Sequence, residues 1–197
     1  MPLNKTEDEP IRGKSDEEIV VLYKEGSQEA FKGLINRYIS PLYNFTARLS
    51  NPSDAPDIVA EIFIKVWKNI NRFDPKKASF RTWIFTIARN SAIDFLRKKK
   101  SLSFSDLEKY GDEEENSFAE NIPDEKILPD TALLKLQDQE ILNNALEKLS
   151  ADEKEILVLH YQEEMTFEEI GRILSKSLNT VKSKHRRALI KLRKILE

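Results

Sequence analysis

The chain has 197 residues, of which 40% are hydrophobic and 34% are charged, and its formal net charge is −2. This length fits one domain or two small ones, and the apolar content suffices for modest helical cores rather than one large core. Because the chain has no cysteine and only two histidines, it offers no disulfide, thiolate metal site or zinc site, and we expect neither a metal nor a cofactor.

The composition predicts an all-α protein. Five glycines, abundant leucine, isoleucine, lysine and glutamate, and the lack of alternating β-branched runs all favour helices. No segment reaches the roughly 18 consecutive apolar residues that a membrane-spanning helix needs, and the first ten residues lack the apolar core of a signal peptide. We therefore expect a cytoplasmic protein without membrane insertion.

Capping signals mark the first helices. Residues 1–14 are polar and aperiodic, and they are predicted to form a disordered tail. Ser15 opens a capping box that predicts a first helix near residues 16–24. Ser27 caps a second helix, which Pro41 is expected to break or kink. A third helix is predicted to begin near Asp54 and to bury an apolar stripe that comprises Ile58, Val59, Ile62, Phe63, Val66, Trp67 and Ile70.

The next helix, over residues 80–100, interleaves aromatic rings with positive charge. Phe85 lies four residues from both Arg81 and Arg89, so the sequence predicts an exposed ring between two guanidinium groups. Such a ring is suited to stacking an unpaired base while the cations hold phosphates. We take the opening of promoter DNA as the leading hypothesis. The same pattern also fits an ordinary amphipathic core helix with a solvated basic face.

Charge is segregated along the chain. Residues 72–100 contain nine basic and two acidic residues, residues 101–130 two basic and ten acidic, and residues 171–197 nine basic and one acidic. The acidic block also carries prolines and scattered single apolar residues, which indicates a flexible linker. We therefore predict two small helical domains, over residues 15–100 and 132–197, joined by an acidic linker over residues 101–131.

The second domain ends in a helix-turn-helix pattern. Thr166 opens a capping box before the helix TFEEIGRIL, and only three residues separate that helix from a new start at Leu178. Outward residues of the second helix are predicted to read base edges in the major groove: Asn179, Lys182, Ser183, Arg186 and Arg187. Other residues are predicted to contact phosphates: Arg172, Thr180, Lys184 and Lys191. A basic helix that packs internally or meets a membrane surface is the alternative.

Together, NPSDAPDIVAEIFIKVWKNINRFDPKKASFRTWIFTIARNSAIDFLRKK and LSADEKEILVLHYQEEMTFEEIGRILSKSLNTVKSKHRRALIKLR resemble regions 2 and 4 of bacterial sigma factors of the extracytoplasmic-function (ECF) group. The resemblance implies a protein that binds core RNA polymerase, through its β′ clamp helices and β flap, and promoter DNA. It also implies an anti-sigma partner, no catalytic residues and no small-molecule substrate. Region 2 would open the minus-ten element, and region 4 would read the minus-thirty-five element.

The resemblance further implies three sets of contact residues. The polymerase would bind the outward side chains of the helix DIVAEIFIKVW, which are Asp57, Ala60, Glu61, Ile64, Lys65 and Lys68. The loop FDPKKAS and its surroundings would hold the minus-ten element through Arg72, Phe73, Lys76, Lys77, Ser79, Phe80, Arg81, Phe85, Arg89, Asn90 and Lys98. Region 4 would contribute Thr166 besides the base-reading and phosphate-contacting residues given above. Thr86 and Ile87 stand where housekeeping members carry two wedge tryptophans, so the wedging ring stays open, with Phe85 favoured.

Two other functions remain as alternatives. A self-sufficient helix-turn-helix regulator would bind duplex DNA tightly without polymerase, and its first domain would dimerise or sense a signal. An enzyme has little support, because the two histidines are far apart in sequence and no glycine-rich phosphate loop is present. We therefore expect a protein that is not an enzyme.

Overall fold

The computed structural model of the protein describes residues 11–104, apart from residue 12, and residues 145–196, apart from residue 147. Every regular element among these residues is helical, which confirms the predicted all-α class. Most of the predicted tail, nearly all of the acidic linker and most of the helix expected after it lie outside the described residues.

Four helices form the N-terminal domain: α1 (Asp16–Lys24), α2 (Gln28–Leu49), α3 (Ala55–Asn69) and α4 (Phe80–Phe104). The capping box at Ser15 is confirmed, since its hydroxyl accepts from the Glu18 backbone N–H at 3.2 Å and its own N–H donates to the Glu18 carboxylate at 2.7 Å. A 3-10 turn, Ile70–Arg72, ends the third helix. The fourth helix continues to Phe104, so the first four residues of the expected linker are helical.

Pro41 does not end the second helix, which continues for eight further residues to Leu49. A proline inside a helix removes one backbone hydrogen bond. The flanking turns nevertheless pack firmly, because Tyr38, Leu42 and Phe45 are all buried in the core. Burial of these side chains outweighs the local preference of the proline, so tertiary packing decides the length of α2.

The C-terminal domain contains α5 (Ala151–Leu157), a π-helical turn (Val158–Gln162), α6 (Phe167–Leu174) and α7 (Leu178–Leu196). The capping box at Thr166 is confirmed by the bond from the Glu169 backbone N–H to the Thr166 hydroxyl at 3.3 Å. α6 and α7 form the predicted helix-turn-helix. Ser175 occupies the left-handed turn position with φ 53°, a conformation that a residue with a side chain adopts at a cost.

One glycine is required by the packing of this turn. A Cβ atom built on Gly171 would lie 2.9 Å from the carbonyl oxygen of Lys176, a contact too close for any side chain. The backbone N–H of Lys176 also donates to the Gly171 carbonyl at 2.9 Å. The close approach of the two backbones therefore fixes the angle at which α7 leaves the turn.

The two domains pack against each other. Buried residues from both, such as Ile84 of α4 and Leu159 of the π-helical turn, belong to one continuous apolar cluster. A smaller cluster lies within the C-terminal domain and includes Leu149, Leu157 and Leu189. As a result, α4 is covered by helices of its own domain on one side and by the C-terminal domain on another.

Candidate nucleic-acid interface

Phe85, expected to lie exposed between two arginines, is fully buried at 0% relative exposure. Its ring packs edge-on against Phe45, with centroids 5.3 Å apart. Phe73 and Phe80 are also buried and pack against each other at 5.5 Å. The prediction that Phe85 is an exposed stacking platform is therefore wrong, and none of these three rings offers a free face to a base.

The two arginines beside Phe85 are engaged by the C-terminal domain. Arg89 Nε lies 2.6 Å from Oε2 of Glu155, and Arg81 Nη2 lies 3.3 Å from Oε2 of Glu163. The two carboxylates are only 4% and 5% exposed. Burial raises the pKa of both glutamates, and the neighbouring arginines act in the opposite direction. In this arrangement, Arg81 and Arg89 bind carboxylates rather than DNA.

A cleft of about 490 Å³ opens on the other face of α4. It is lined by Lys65, Asn69, Arg72, Trp83, Ile87 and Asn90. The helical period places Trp83, Ile87 and Asn90 roughly opposite the side that carries Phe85 and the two arginines. Trp83 is half-buried, and its ring rests on Phe73 and Phe80 at centroid distances of 5.4 and 5.6 Å. The cleft thus combines a supported aromatic ring with cationic and amide side chains.

The remaining residues of the predicted minus-ten set lie at the surface. Arg72, Lys76, Lys77, Ser79, Asn90 and Lys98 are all exposed. Ser79 caps α4, since its hydroxyl accepts from the backbone N–H of Thr82 at 3.2 Å. Asp74 shapes the loop by accepting from the backbone N–H of Lys76 at 3.0 Å. The loop therefore displays Lys76 and Lys77 to solvent, a few residues after Arg72, which lines the cleft.

The outer face of α3 is exposed and partly apolar. Asp57, Ala60, Ile64 and Lys68 are exposed, whereas Glu61 and Lys65 are half-buried and pair with each other at 2.8 Å. Trp67, which we expected in the buried stripe, is 56% exposed, and Ile64 is 52% exposed. Ala60, Ile64 and Trp67 follow one another at helical spacing, so they form a continuous apolar strip amid charges. The helical period alone does not show that Trp67 is exposed, because this residue lies at the edge of the buried stripe.

The helix-turn-helix presents a polar outer surface. Thr166, Arg172, Asn179, Lys182, Ser183, Arg187 and Lys191 are exposed, whereas Thr180, Lys184 and Arg186 are half-buried. Thr180 belongs to the start of α7, where its hydroxyl lies 2.8 Å from that of Ser177. The exposed side chains nearest the start of α7 are therefore Asn179, Lys182 and Ser183, at the end of the helix that typically reaches base edges.

Carboxylates of α5 form ion pairs with three lysines: Lys184 and Lys191, which were predicted to contact phosphates, and Lys176 of the turn. Asp152 Oδ2 binds Lys184 at 2.8 Å and Lys176 at 2.9 Å, and Glu153 Oε2 binds Lys191 at 2.9 Å. Burial acts to raise the pKa of both carboxyls, but hydrogen bonds outweigh it, from Lys184 and Lys176 at Asp152 and from Lys191 and Ser150 at Glu153. Both pKa values therefore lie below the ordinary range.

These lowered pKa values predict how stability depends on pH. A carboxylate whose pKa is lowered by folding stabilises the protein at pH values above its ordinary pKa. This contribution is lost as the pH falls through the pKa of the folded state. We expect the free energy of unfolding to fall less steeply in Asp152→Asn than in the native chain between neutral pH and about pH 3. Chemical denaturation at several pH values measures this, and equal slopes would contradict the assigned ion pairs.

Two features, a metal-ligand cluster and a membrane-spanning helix, are absent from the described ranges 11–104 and 145–196. Within them, no group of three or more acidic or histidine side chains is arranged to hold a metal ion. No helix among these residues combines the length and the apolar character that crossing a membrane demands.

Comparison with known families assigns both domains. Residues 34–102 match the family model for Sigma-70 region 2, and residues 145–194 match that for Sigma-70, region 4. The chain is 34% identical to the ECF RNA polymerase sigma factor SigW of Bacillus subtilis, over 88% of this chain and 92% of that protein. It is 29% identical to the ECF RNA polymerase sigma-E factor of Escherichia coli K12, over 88% and 90% of the two chains.

Two solved structures share the fold. The sigma factor RpoE in complex with the anti-sigma factor NepR from Bartonella quintana is 24% identical, with a TM-score of 0.64, and the match covers 84% of this chain and 96% of that one. CnrH in complex with the cytosolic domain of CnrY is 23% identical, with a TM-score of 0.66 and coverage of 93% and 97%.

Proposed function

The chain belongs to the extracytoplasmic-function group of RNA polymerase sigma factors, and from this membership we propose how its own residues engage polymerase and promoter. Members of this group act in transcription initiation and are not enzymes. The N-terminal domain opens and holds the minus-ten element, and the C-terminal domain reads the minus-thirty-five element as duplex. The domain boundaries proposed above, at residues 15–100 and 132–197, follow this division of labour.

The cleft beside Trp83 receives a base extruded from the minus-ten element. One observation supports this role: Lys65, Arg72 and Asn90 line the same cleft of about 490 Å³ as the indole of Trp83. An aromatic ring stacks an unpaired base, a cation holds its phosphate, and an amide pairs with its edge. Because Phe85 is buried, Trp83 takes over the stacking role that the sequence assigned to Phe85.

The start of α7 reads the minus-thirty-five element. Asn179, Lys182 and Ser183 are exposed on its first two turns, where a recognition helix contacts base edges. Arg172, on α6, is exposed and supplies a phosphate contact, and Arg187 is exposed further along α7 and extends the base-reading set. Lys184 and Lys191 contribute only when phosphates displace Asp152 and Glu153 from them.

The exposed strip on α3 docks the polymerase clamp helices. An apolar strip of Ala60, Ile64 and Trp67 between charged residues has the composition of a protein–protein interface. A flap contact by the C-terminal domain, an anti-sigma partner and a cytoplasmic location complete the proposal on the basis of family membership.

Promoter binding requires the two domains to separate. Elements about two helical turns of DNA apart lie roughly 70 Å from each other. The two domains instead share one buried cluster, and Arg81 and Arg89 pair with the C-terminal domain. The described arrangement is therefore a closed form, and assembly with polymerase has to break these interdomain pairs.

Run-off transcription with purified core polymerase tests the proposed function. We expect the full chain to convert core enzyme into an initiator that selects specific promoters from a random library. A variant with Ile64→Glu and Trp67→Glu is expected to lose this effect but to keep its helical content, because both side chains are exposed. Unchanged transcription on addition of the native chain would contradict the proposal. Tight and specific duplex binding without polymerase would favour the alternative of a self-sufficient regulator.

A further inference from the structure

We propose that α1 acts as a brace that positions the minus-ten loop, residues 73–79, together with the ring of Trp83, through the side chains of Glu17 and Lys24. The inference rests on the proposed role of the cleft in binding an extruded base. Glu17 and Lys24 are positioning residues in this proposal, because they touch the loop ends and not the DNA.

The brace consists of two hydrogen bonds that grip opposite ends of the loop. Lys24 Nζ donates to the backbone carbonyl of Phe73 at 3.1 Å, at the first residue of the loop. The backbone N–H of Phe80, directly after the loop, donates to Oε1 of Glu17 at 2.8 Å. Both bonds involve a charged group, and such bonds are stronger than those between neutral partners. The second also places a negative charge at the N-terminus of α4, where it is favourable.

The spacing of the two side chains suits this task. Glu17 and Lys24 are seven residues apart, so they lie on nearly the same face of α1 and about 10.5 Å apart along its axis. One face of a rigid helix therefore sets the distance between the two ends of the loop. A loop whose ends are fixed in this way loses much of its conformational freedom before DNA binds.

α1 is itself fixed to the body of the domain. Ile19 and Val20 are buried at 0% and 2% relative exposure. Asp16 accepts hydrogen bonds from both Arg37 and Tyr38 of α2. α1 is therefore held on α2 and in the core of the domain, so Glu17 and Lys24 occupy defined positions.

The two gripped residues also support the stacking ring. Phe73 and Phe80 contact the Trp83 ring at centroid distances of 5.4 and 5.6 Å. Displacement of either backbone end would move a ring on which Trp83 rests. A chain of contacts thus connects α1 with the two ends of the loop and, through Phe73 and Phe80, with Trp83 in the cleft. α1 lies before residue 34, where the match to the region 2 model begins, so that match assigns it no role.

Full-length variants assembled with core polymerase test the brace. Glu17→Ala and Lys24→Met each remove one grip, and Glu17→Gln keeps an acceptor oxygen but removes the charge. On a promoter selected by the native holoenzyme, we expect discrimination against a wrong minus-ten base to fall roughly tenfold in Glu17→Ala and Lys24→Met, and less in Glu17→Gln. Hydrogen exchange of amides 73–80 should accelerate in the same order.

Matched controls separate positioning from general stability and charge. Glu25→Gln and Lys14→Met remove the same charges from exposed positions near the ends of α1. They should leave both readouts unchanged, and every variant should keep native affinity for core polymerase and native discrimination at the minus-thirty-five element. Loss of all these properties together would reveal a purely structural role and overturn the proposal. Native minus-ten discrimination in Glu17→Ala and Lys24→Met would also overturn it, whereas failure of the native chain to select any promoter would refute the proposed function instead.

Discussion

Replacement of Trp83 by alanine should slow the formation of open promoter complexes by about 5- to 150-fold, the factor that corresponds to losing one stacked base worth roughly 1 to 3 kcal/mol. Trp83 is the half-buried ring that lines the cleft, and Lys65 and Arg72 lie beside it. Its loss removes the platform for the extruded base but leaves α3 and α7 intact. Permanganate footprints followed over time measure the rate of strand opening.

Two further variants make this prediction specific. Trp83→Phe retains an aromatic face and the contacts with Phe73 and Phe80, so most of the opening rate should return. Phe85→Ala removes a fully buried ring and should instead lower the free energy of unfolding by about 3 to 5 kcal/mol. Normal opening by Trp83→Ala, at native affinity for core polymerase, would exclude the cleft as the base-binding site.

The starts of several helices could be predicted from the sequence because capping is local. The boxes that begin at Ser15 and Thr166 each join residues three positions apart, and the structure contains both. Their hydrogen bonds satisfy backbone groups at the helix start whatever the rest of the fold does. The turn between α6 and α7 follows the same logic, since its short length already indicates a helix-turn-helix.

The environment of Phe85 could not be predicted because it depends on residues far along the chain. A cation four residues away on either side resembles a surface pattern, yet the partner of Arg89 lies 66 residues away and that of Arg81 lies 82 residues away. Periodicity identifies which residues share a face of α4, but it does not tell which neighbour covers that face. The C-terminal domain supplies that cover.

The cleft beside Trp83 could not be predicted from the sequence for a related reason. Trp83 and Ile87 fit the apolar stripe of α4, so the sequence pattern assigns both to the core. In the structure, the stripe is wider than the surface that α2 and α3 cover, and Trp83 remains half-buried at its edge. Lys65 and Asn69 come from α3, and only the packing of α3 on α4 brings them beside the ring.

The interdomain ion pairs set the cost of opening the closed form. Glu155 is 4% exposed, and Arg89, its partner at 2.6 Å, is 18% exposed. Removing one partner of a buried pair leaves the other charge buried without compensation, at a cost of about 3 to 5 kcal/mol. The Arg81–Glu163 pair contributes less, since Arg81 is 39% exposed and solvent screens it. In the open form, water hydrates the guanidinium of Arg89. Loss of Glu155 therefore raises the free energy of the closed form and leaves that of the open form nearly unchanged.

Glu155→Ala should therefore shift the equilibrium toward the open form by about 100- to 4,000-fold. The native chain has no cysteine, so dyes at Glu29→Cys and Lys194→Cys report the distance between the domains by energy transfer. We expect lower transfer in Glu155→Ala, together with tighter binding of a single-stranded minus-ten oligonucleotide by the free protein, because Arg89 becomes available. Asp94→Ala, which removes a carboxylate from an exposed pair with Arg97, serves as the control and should change neither signal. Equal energy transfer in all three proteins would show that the Arg89–Glu155 pair does not hold the domains together, and another contact would then have to keep the C-terminal domain on the face of α4 that carries Arg89.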